Sequence, residues 1–554
     1  MKPSATSHLL RSMVKALGAD VDISPLGLMD TEVPMPSTSM DPDSFKEAWF
    51  IYNLLRKREV ERPETEEAAR SSFARSEERC AAIEERGLLH TASFSVCSSL
   101  LRARQIAYDL LGDKPPKSWL QECTFTGGAS TSRKRSDAHP ALKWWARPSL
   151  DVTPLALVHL QELFDSCPTL QAAWGDPGIL ACTTYDERTW KPAFNLVPGS
   201  RLRFVEKNYK TKRTILIEPD GNMLLQKGIG NVIRKILRKV GINLNDQTRS
   251  QRLAFAGSLS GTLGTVDLSA ASDSVTLALL SFLLPPAWYD VIYAIRSHLY
   301  QDGDVWKRMV KVSSMGNGFT FELESFVFYC LTQAVVDTQN PSEKRLCIYG
   351  DDIIVASEVC GHLEEVMETV GFSFNREKSF WTGSFRESCG KHYHSGLDVT
   401  PVYAKADVDC LSEKFRLYNQ VRDWAGGLYF DPRYSKLLDV ILQTIPEKDR
   451  RQTPVEYGPN AGLHYGDVCT RKIRVYMNRN GITTMSFSRF TPSIEDYTSK
   501  LQPEVAWLYR HMERWQPSCP LGISVYTSLA LVREGELGWA AVSIPCSHVG
   551  PLMP

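Results

Sequence analysis

Two aspartates, Asp351 and Asp352, stand side by side between the apolar runs of CIYGDDIIV (347–355). A carboxylate buried among such neighbours is costly unless it is paired or bound to a cation. Adjacent side chains of an extended strand point to opposite faces, so both acids reach one place only where the backbone turns beneath them. Gly350 tolerates the angles of a tight turn, and Asp is at home in one. Leu346–Tyr349 and Ile353–Val355 are therefore expected to pair as a buried hairpin with the carboxylates at its tip. Turn chemistry alone explains the glycine and one aspartate, but not the second acid. The string HYGDV (464–468) marks the contrast: it has one acid, no apolar flanks, and reads as a bare turn.

A third carboxylate, Asp267, ends the apolar strand expected over TLGTVDL (262–268). Beside the hairpin, Asp267 and Asp351 can bind two shared divalent ions, with Asp352 supporting the site or ligating one of them. Hard oxygen ligands favour Mg2+, and Mn2+ is also suited. Two such ions roughly 4 Å apart can activate an attacking hydroxyl and stabilise the departing oxygen of an in-line phosphoryl displacement. Phosphoryl transfer is the chemistry these acids fit.

Positioning them is a task for the elements around them. From 262 to 380 a strand (LGTVDL) precedes a helix expected over 271–284 (ASDSVTLALLSFLL). A Gly-rich turn (SSMGNGF) then opens a second helix (TFELESFVFYCLTQAVV). The hairpin follows, then a helix with Val359, Leu363, Val366, Met367 and Val370 on one face, stopped by Gly371, and a strand in FSFN. This alternation predicts an α+β fold with an antiparallel split-βαβ sheet and helices on one side. Upstream, 201–240 carries eleven basic and three acidic residues. Ile229, Val232, Ile233, Ile236, Leu237 and Val240 recur there at helical spacing, and Gly241 follows as a stop. Arg234, Lys235, Arg238 and Lys239 fall on the other face, which reads as solvated. Residues 46–112 read as charged helices and 23–45 as a long loop.

A chain of 554 residues is too long for one compact core, so several packed units are expected. Its 43% hydrophobic and 23% charged content is ordinary for a globular protein. With a formal net charge of zero, any nucleic-acid-binding surface must be local. The longest mostly apolar run, near 275–284, is far too short to span a membrane. The N-terminus lacks the pattern of a signal peptide. The thirteen cysteines are spread singly without a C-x-x-C pair, which argues against structural zinc and a disulfide framework. They read as reduced core residues of a cytosolic protein.

The strings VDLSAASDS (266–274), SSMGNGFTFELES (313–325), YGDD (349–352) and GFSFNREKSF (371–380) together resemble the replicase subunit of the levivirus family, the small single-stranded RNA bacteriophages. So do KNYKTKRTILIEPDGNMLLQKG (207–228), FTGGAS (125–130) and FRESCGKHYHSGLDVTP (385–401). The likeness spans 120–400, with the ends placed by extension. It implies an RNA-directed RNA polymerase shaped as a right hand of fingers, palm and thumb, with the split-βαβ sheet as palm. The regions would be a helical 1–115 as part of the fingers, fingers at 116–250 with a basic nucleotide-binding segment, a palm at 251–400 with a fingers insertion, and thumb at 401–554.

Carried over by position, the resemblance implies two-metal nucleotidyl transfer from NTPs, primer-independent, with pyrophosphate released. Asp267, Asp351 and Asp352 would hold the metal, and Lys207, Lys210 and Arg213 would lie over the triphosphate. The competing reading of those three, a solvated basic loop, is weakened by Glu218-Pro219-Asp220 nearby. Lys378 would protonate the departing pyrophosphate, or else is a surface lysine. Gly316 and Gly318 would let template or nucleotide approach the backbone, or simply turn the chain. Many RNA polymerases read the ribose with a second aspartate of the first motif and an asparagine on the helix after the Gly-rich turn. Here Asp273 falls one residue beyond the common spacing, the matching helix position is Glu324, and Asn317 is the nearer amide. No aromatic occurs in 268–274, which favours ribonucleotides over deoxyribonucleotides. The resemblance also implies RNA template and nascent RNA, host elongation factors Tu and Ts, a host RNA-binding ribosomal protein, no membrane, and the bacterial cytoplasm. A reverse transcriptase and a non-catalytic RNA-binding protein on a palm scaffold are the alternatives.

Overall fold

The computed structural model describes most of residues 4–464, with 144–149 and 167–193 the longest stretches left out. Beyond them it describes the strands Arg474–Met477, Thr483–Thr491 and Gly538–Pro545, which pair antiparallel. The chain forms two compact units, Met1–Val60 with Val399–Pro554, and Glu61–Asp398.

In the first unit the helices Ala5–Ala16 and Pro42–Asn53 bury Leu10, Met13 and Phe50 in one core with Phe415, Val421 and Ile441. Residues 1–60 thus cover their apolar faces with the chain's later helices, and the expected region 1–115 has parts in both units. The expected loop 23–45 also gives way to helix at its end. The Asp41 carboxylate accepts the Ser44 N–H at 3.0 Å, and Pro42 takes the first helical position, where no N–H is needed. His464 ends a short strand, and the rest of HYGDV lies outside the described residues.

The second unit begins with two helices, α1 (Pro63–Arg86) and α2 (Phe94–Leu111). A hairpin of β1 (Ser200–Val205) and β2 (Arg213–Ile217) leads into α3 (Asp220–Lys239) and α4 (Thr248–Ser260). Strand β3 (Leu263–Ser269) follows, then α5 (Leu277–Leu283) and α6 (Pro286–Ile295). Strands β4 (Leu299–Asp302) and β5 (Val305–Arg308) return to pair beside β1, giving the order β2-β1-β4-β5. Next come α7 (Thr320–Gln339), the hairpin β6 (Cys347–Tyr349) and β7 (Asp352–Ala356), α8 (Cys360–Thr369) and β8 (Ser373–Phe374). A three-stranded sheet, β9 (Phe385–Ser388), β10 (Lys391–His394) and β11 (Leu397–Asp398), closes the unit.

The central sheet has the order β8-β3-β7-β6, with every pair antiparallel. Both faces are covered. Val266, Leu268, Ile348 and Ile353 enter the large core with α7 and α8, while Leu263, Cys347 and Ile354 pack on Ala254 of α4. Helix α7 has fifteen of its twenty residues buried, which suits a helix apolar nearly all round. Helix α3 ends where expected, with Gly241 at φ +84 after the last turn.

The helix expected over 271–284 is shorter than its apolar pattern. Ala270 takes φ +50, Ala271–Asp273 forms one 3-10 turn, and α5 starts only after Thr276, whose hydroxyl accepts the Leu279 N–H at 3.0 Å. Polar side chains with partners elsewhere, described below, compete with helix here.

Candidate active site

The β6–β7 hairpin turns on Gly350 and Asp351 alone. Gly350 has φ +60, as the first position of a type II′ turn demands, and its N–H donates to Ser325 Oγ at 3.0 Å. A Cβ there would lie 2.7 Å from the Phe321 ring, so the turn is also pressed onto α7. Register then sets the acids. Asp267 of β3 is directly opposite Asp352 of β7, which puts both side chains on one face of the sheet. Asp351 stands in the adjoining turn.

The three carboxylates repel one another. Burial first, then the charges of Asp351 and Asp267, push the Asp352 carboxyl up to about 7. Asp351 is raised by its surroundings and by Asp267. Asp267 is held by neighbours: Asn375 Nδ2 donates to Oδ1 at 2.8 Å, and Lys378 Nζ lies 3.3 Å from Oδ2. Lys378 loses hydration there, but Asp267, Glu387 and Asp352 outweigh that loss and hold its ammonium more firmly protonated than usual. Among the described residues, no three His, Cys, Asp or Glu side chains are drawn up as a metal cage. The acids share a field rather than a finished coordination sphere.

The basic segment splits. Lys207 is within electrostatic reach of Asp267, Asp351, Arg213 and Lys378, and burial with those two cations lowers its pKa. Arg213 bears on Asp351 as well. Lys210 instead lies at the exposed tip of the β1–β2 turn, its ammonium 5.7 Å from the centre of the Tyr209 ring. On α3, Arg234 is not a solvated charge: with Lys227 it grips the buried Glu322 carboxylate, at 2.8 and 2.9 Å.

The Gly-rich turn approaches its own chain. A Cβ on Gly316, whose φ is +113, would lie 2.1 Å from the Leu216 carbonyl oxygen, and one on Gly318 would lie 2.8 Å from that of Met223. The Leu216 N–H donates to the Met315 carbonyl at 2.8 Å, and the Gly318 N–H to Gln226 Oε1 at 2.8 Å. The close contact these glycines permit is thus to β2 and α3. Asn317 also turns inward, its Oδ1 accepting the Ser314 N–H at 2.9 Å.

Asp273 accepts Lys311 Nζ at 2.8 Å and Ser314 Oγ at 2.5 Å. Glu324 lies on α7 beneath the hairpin turn, with Ser272 Oγ donating to its Oε2 at 2.8 Å. Burial first, then Asp351, push the Glu324 carboxyl up to about 8. Sequence reasoning missed Ser272, Lys311 and Asn375. The adjacency of Ser272 to Asp273 and the asparagine of FSFN were the available hints.

A family model described as RNA replicase, beta-chain, matches residues 5–524. The chain belongs to that family. It is 36% identical over 468 residues to the RNA-directed RNA polymerase subunit beta of Qbeta virus (strain MX1), covering 82% of this chain and 76% of that one. To the corresponding subunit of Escherichia virus Qbeta it is 38% identical over 446 residues, covering 78% and 70%. These relatives are levivirus replicase subunits, the family and enzyme class expected from the motifs. A solved structure, the RNA-dependent RNA polymerase of BmCPV at its elongation state, matches with a TM-score of 0.37 and 10% identity, over 63% of this chain and 33% of that one.

Proposed function

We propose that the chain is the catalytic subunit of a phage RNA replicase, copying a positive-strand RNA genome and its complement from ribonucleoside triphosphates. The observation that carries this is the register placing Asp267 opposite Asp352 on one sheet face, with Asp351 in the adjoining turn and Lys207, Arg213 and Lys378 around them. On this reading the β8-β3-β7-β6 sheet is the palm, the β2-β1-β4-β5 sheet belongs to the fingers, and the thumb lies in 401–554.

The donor chemistry fits magnesium. Three hard carboxylates share one field, two of them held toward their protonated forms by burial and then by mutual repulsion, and a divalent cation would relieve that surplus. Asp267, Asp351 and Asp352 would hold it. Two bound ions would supply the activation of the strand's 3′-hydroxyl and the neutralisation of charge on the leaving oxygen.

The chain's own groups do the rest. The 3′-hydroxyl gives its proton to water as its oxygen attacks the α-phosphate, the bond from that phosphorus to the oxygen bridging the β-phosphate breaks, and pyrophosphate leaves with the bridging oxygen. Lys207 and Arg213 meet the negative charge of the triphosphate as it grows. Asn375 orients Asp267. Lys378, kept protonated beside Asp267, gives its proton to the departing pyrophosphate. Primer-independent initiation, a holoenzyme with host elongation factors Tu and Ts and a host ribosomal protein, and a bacterial cytoplasmic setting follow from the family resemblance. No described helix is long and apolar enough to cross a membrane.

The test is template-directed NTP incorporation by the purified chain with magnesium, with and without host extract. Wild type should incorporate, and Asp351→Ala, Asp352→Ala and Asp267→Ala should not. Incorporation by Asp351→Ala at the wild-type rate would refute the assignment. Offering dNTPs on the same template separates a reverse transcriptase, and an inert wild type under all conditions would favour a binding protein.

A further inference from the structure

The sheet β2-β1-β4-β5 has two unlike faces. Alternation along each strand sends Leu202, Leu216 and Tyr300 to one side, where they pack with the buried Phe73 of α1. The cations on that side are matched by acid. Asp302 takes both Arg70 of α1 and Lys307 of β5, the latter at 2.8 Å.

The opposite face has a different balance. Register sets Ile217, Arg201, Gln301 and Trp306 in one row across all four strands. Arg203 and Arg213 of the hairpin, and Arg308 of β5, point to the same side. No strand residue on this side is acidic, and none is buried. Arg201 Nη1 donates to the Thr131 carbonyl at 3.0 Å and Arg203 Nη1 to the Leu202 carbonyl at 2.9 Å. Among the described residues, none of the four guanidinium groups is ion-paired with a carboxylate. Trp306 stands at one end of the row, 37% exposed. At the other end Ile215 and Ile217 line the cavity beside the Gly-rich turn. Like charges brought together on a sheet repel, so this face is stabilised by a polyanion.

Resting on the polymerase reading above, we propose that this face is a platform for single-stranded RNA outside the catalytic cavity, holding a stretch of the strand that is not being copied. Trp306 stacks on a base, and Arg203 and Arg308 take phosphates. Strands lie about 4.8 Å apart, so the row from Ile217 to Trp306 spans about 14 Å. In other RNA-binding folds a four-stranded face stacks about two or three bases. Arginine suits both parts of the ligand, because its planar fork pairs with phosphate oxygens and its face stacks on rings. An acidic protein segment would meet the cations but leave Trp306 without a flat partner.

The experiment measures the affinity of the full chain for labelled polyuridine RNA across a range of salt. Trp306→Ala should weaken binding about tenfold at an unchanged salt slope, and Trp306→Phe, which still stacks, should retain most of the affinity. Arg203→Ala combined with Arg308→Ala should lower the slope of log affinity against log salt by about 1.4, the share of two phosphates on a single strand. Lys307→Ala, on the same strand but the other face, should change neither quantity. On a template too short to reach the sheet, each variant should incorporate NTPs at the wild-type rate. Unchanged affinity in folded Trp306→Ala and the double variant, or an equal loss in Lys307→Ala, overturns the platform. So does polyglutamate that displaces the RNA as well as unlabelled polyuridine does. If the variants fail to fold, wild type decides. Thiouridine-containing RNA should photo-cross-link to the peptide carrying Trp306, and cross-links confined to the catalytic cavity overturn the proposal. A wild type that binds RNA through Trp306 but incorporates nothing refutes the polymerase reading and leaves the platform. An active enzyme whose RNA affinity ignores these residues refutes the platform alone.

Discussion

At the scale of single residues, the site is a problem of surplus charge in a confined space. Lys378 tests how the chain manages it. Lys378→Arg keeps a cation beside Asp267 but removes a proton donor of usable pKa, so single-nucleotide incorporation should fall about 100-fold. Retention of the full rate would leave Lys378 as a charge partner only. Glu218 tests a second buried acid. It is fully buried, with Gln226 Nε2 at 2.8 Å and Ser297 Oγ at 2.9 Å donating to one oxygen, and burial pushes it from 4.5 up to about 7. Between those values the folded chain holds a proton that the unfolded chain has lost. Its contribution to stability is therefore complete below pH 4.5 and disappears as pH rises to 7. Over that window wild type should lose roughly 3 kcal/mol that Glu218→Gln does not, so the variant's advantage in denaturation midpoint should grow with pH and then level off. A flat difference would show that Glu218 titrates alike in both states.

At the scale of elements, the Gly-rich turn is the most exacting piece. Gly316 combines φ +113 with a backbone oxygen 2.1 Å from any added Cβ, and neither can relax cheaply, since Leu216 is tied to Met315 by a hydrogen bond. Gly316→Ala should cost on the order of 3 kcal/mol and separate the turn from β2, read as a lower denaturation midpoint together with lost incorporation. The elements also show how far pattern reading carries. Helices α3 and α8 were legible because their apolar residues recur at helical spacing, and the hairpin and α7 because apolar runs flank or follow a glycine turn. The helix over 271–284 was not, because Ser272, Asp273 and Thr276 find partners across the fold or cap α5, and no local period encodes those partners. Gly316 shows a related limit: a glycine announces a close approach but not what approaches.

At the scale of the whole molecule, two units with separate cores divide the chain differently from its linear order. Each core should answer to its own substitutions. Phe50→Ala lies in the first unit and Phe326→Ala in the second, both fully buried. Each should remove about 3–5 kcal/mol from its own unit. Calorimetry should show a trace with two components, Phe50→Ala lowering one and Phe326→Ala the other. A single transition shifted equally by both would mean that the units unfold as one.

The sequence by itself singled out the candidate residues: three aspartates, a basic segment and a Gly-rich turn were readable because acids flanked by apolar strands, clustered cations and paired glycines each oppose the ordinary cost of burial, repulsion or backbone strain. It also placed the chain in its family. Only the tertiary structure decided which acid faces which. Strand register, a long-range property, sets Asp352 across from Asp267, and packing of α7 under the YGDD turn brings Glu324 to Ser272 while Lys311 claims Asp273. Those choices depend on side chains tens of residues apart meeting in a buried space, where each polar group must find a partner and the first to find one is no longer free for another.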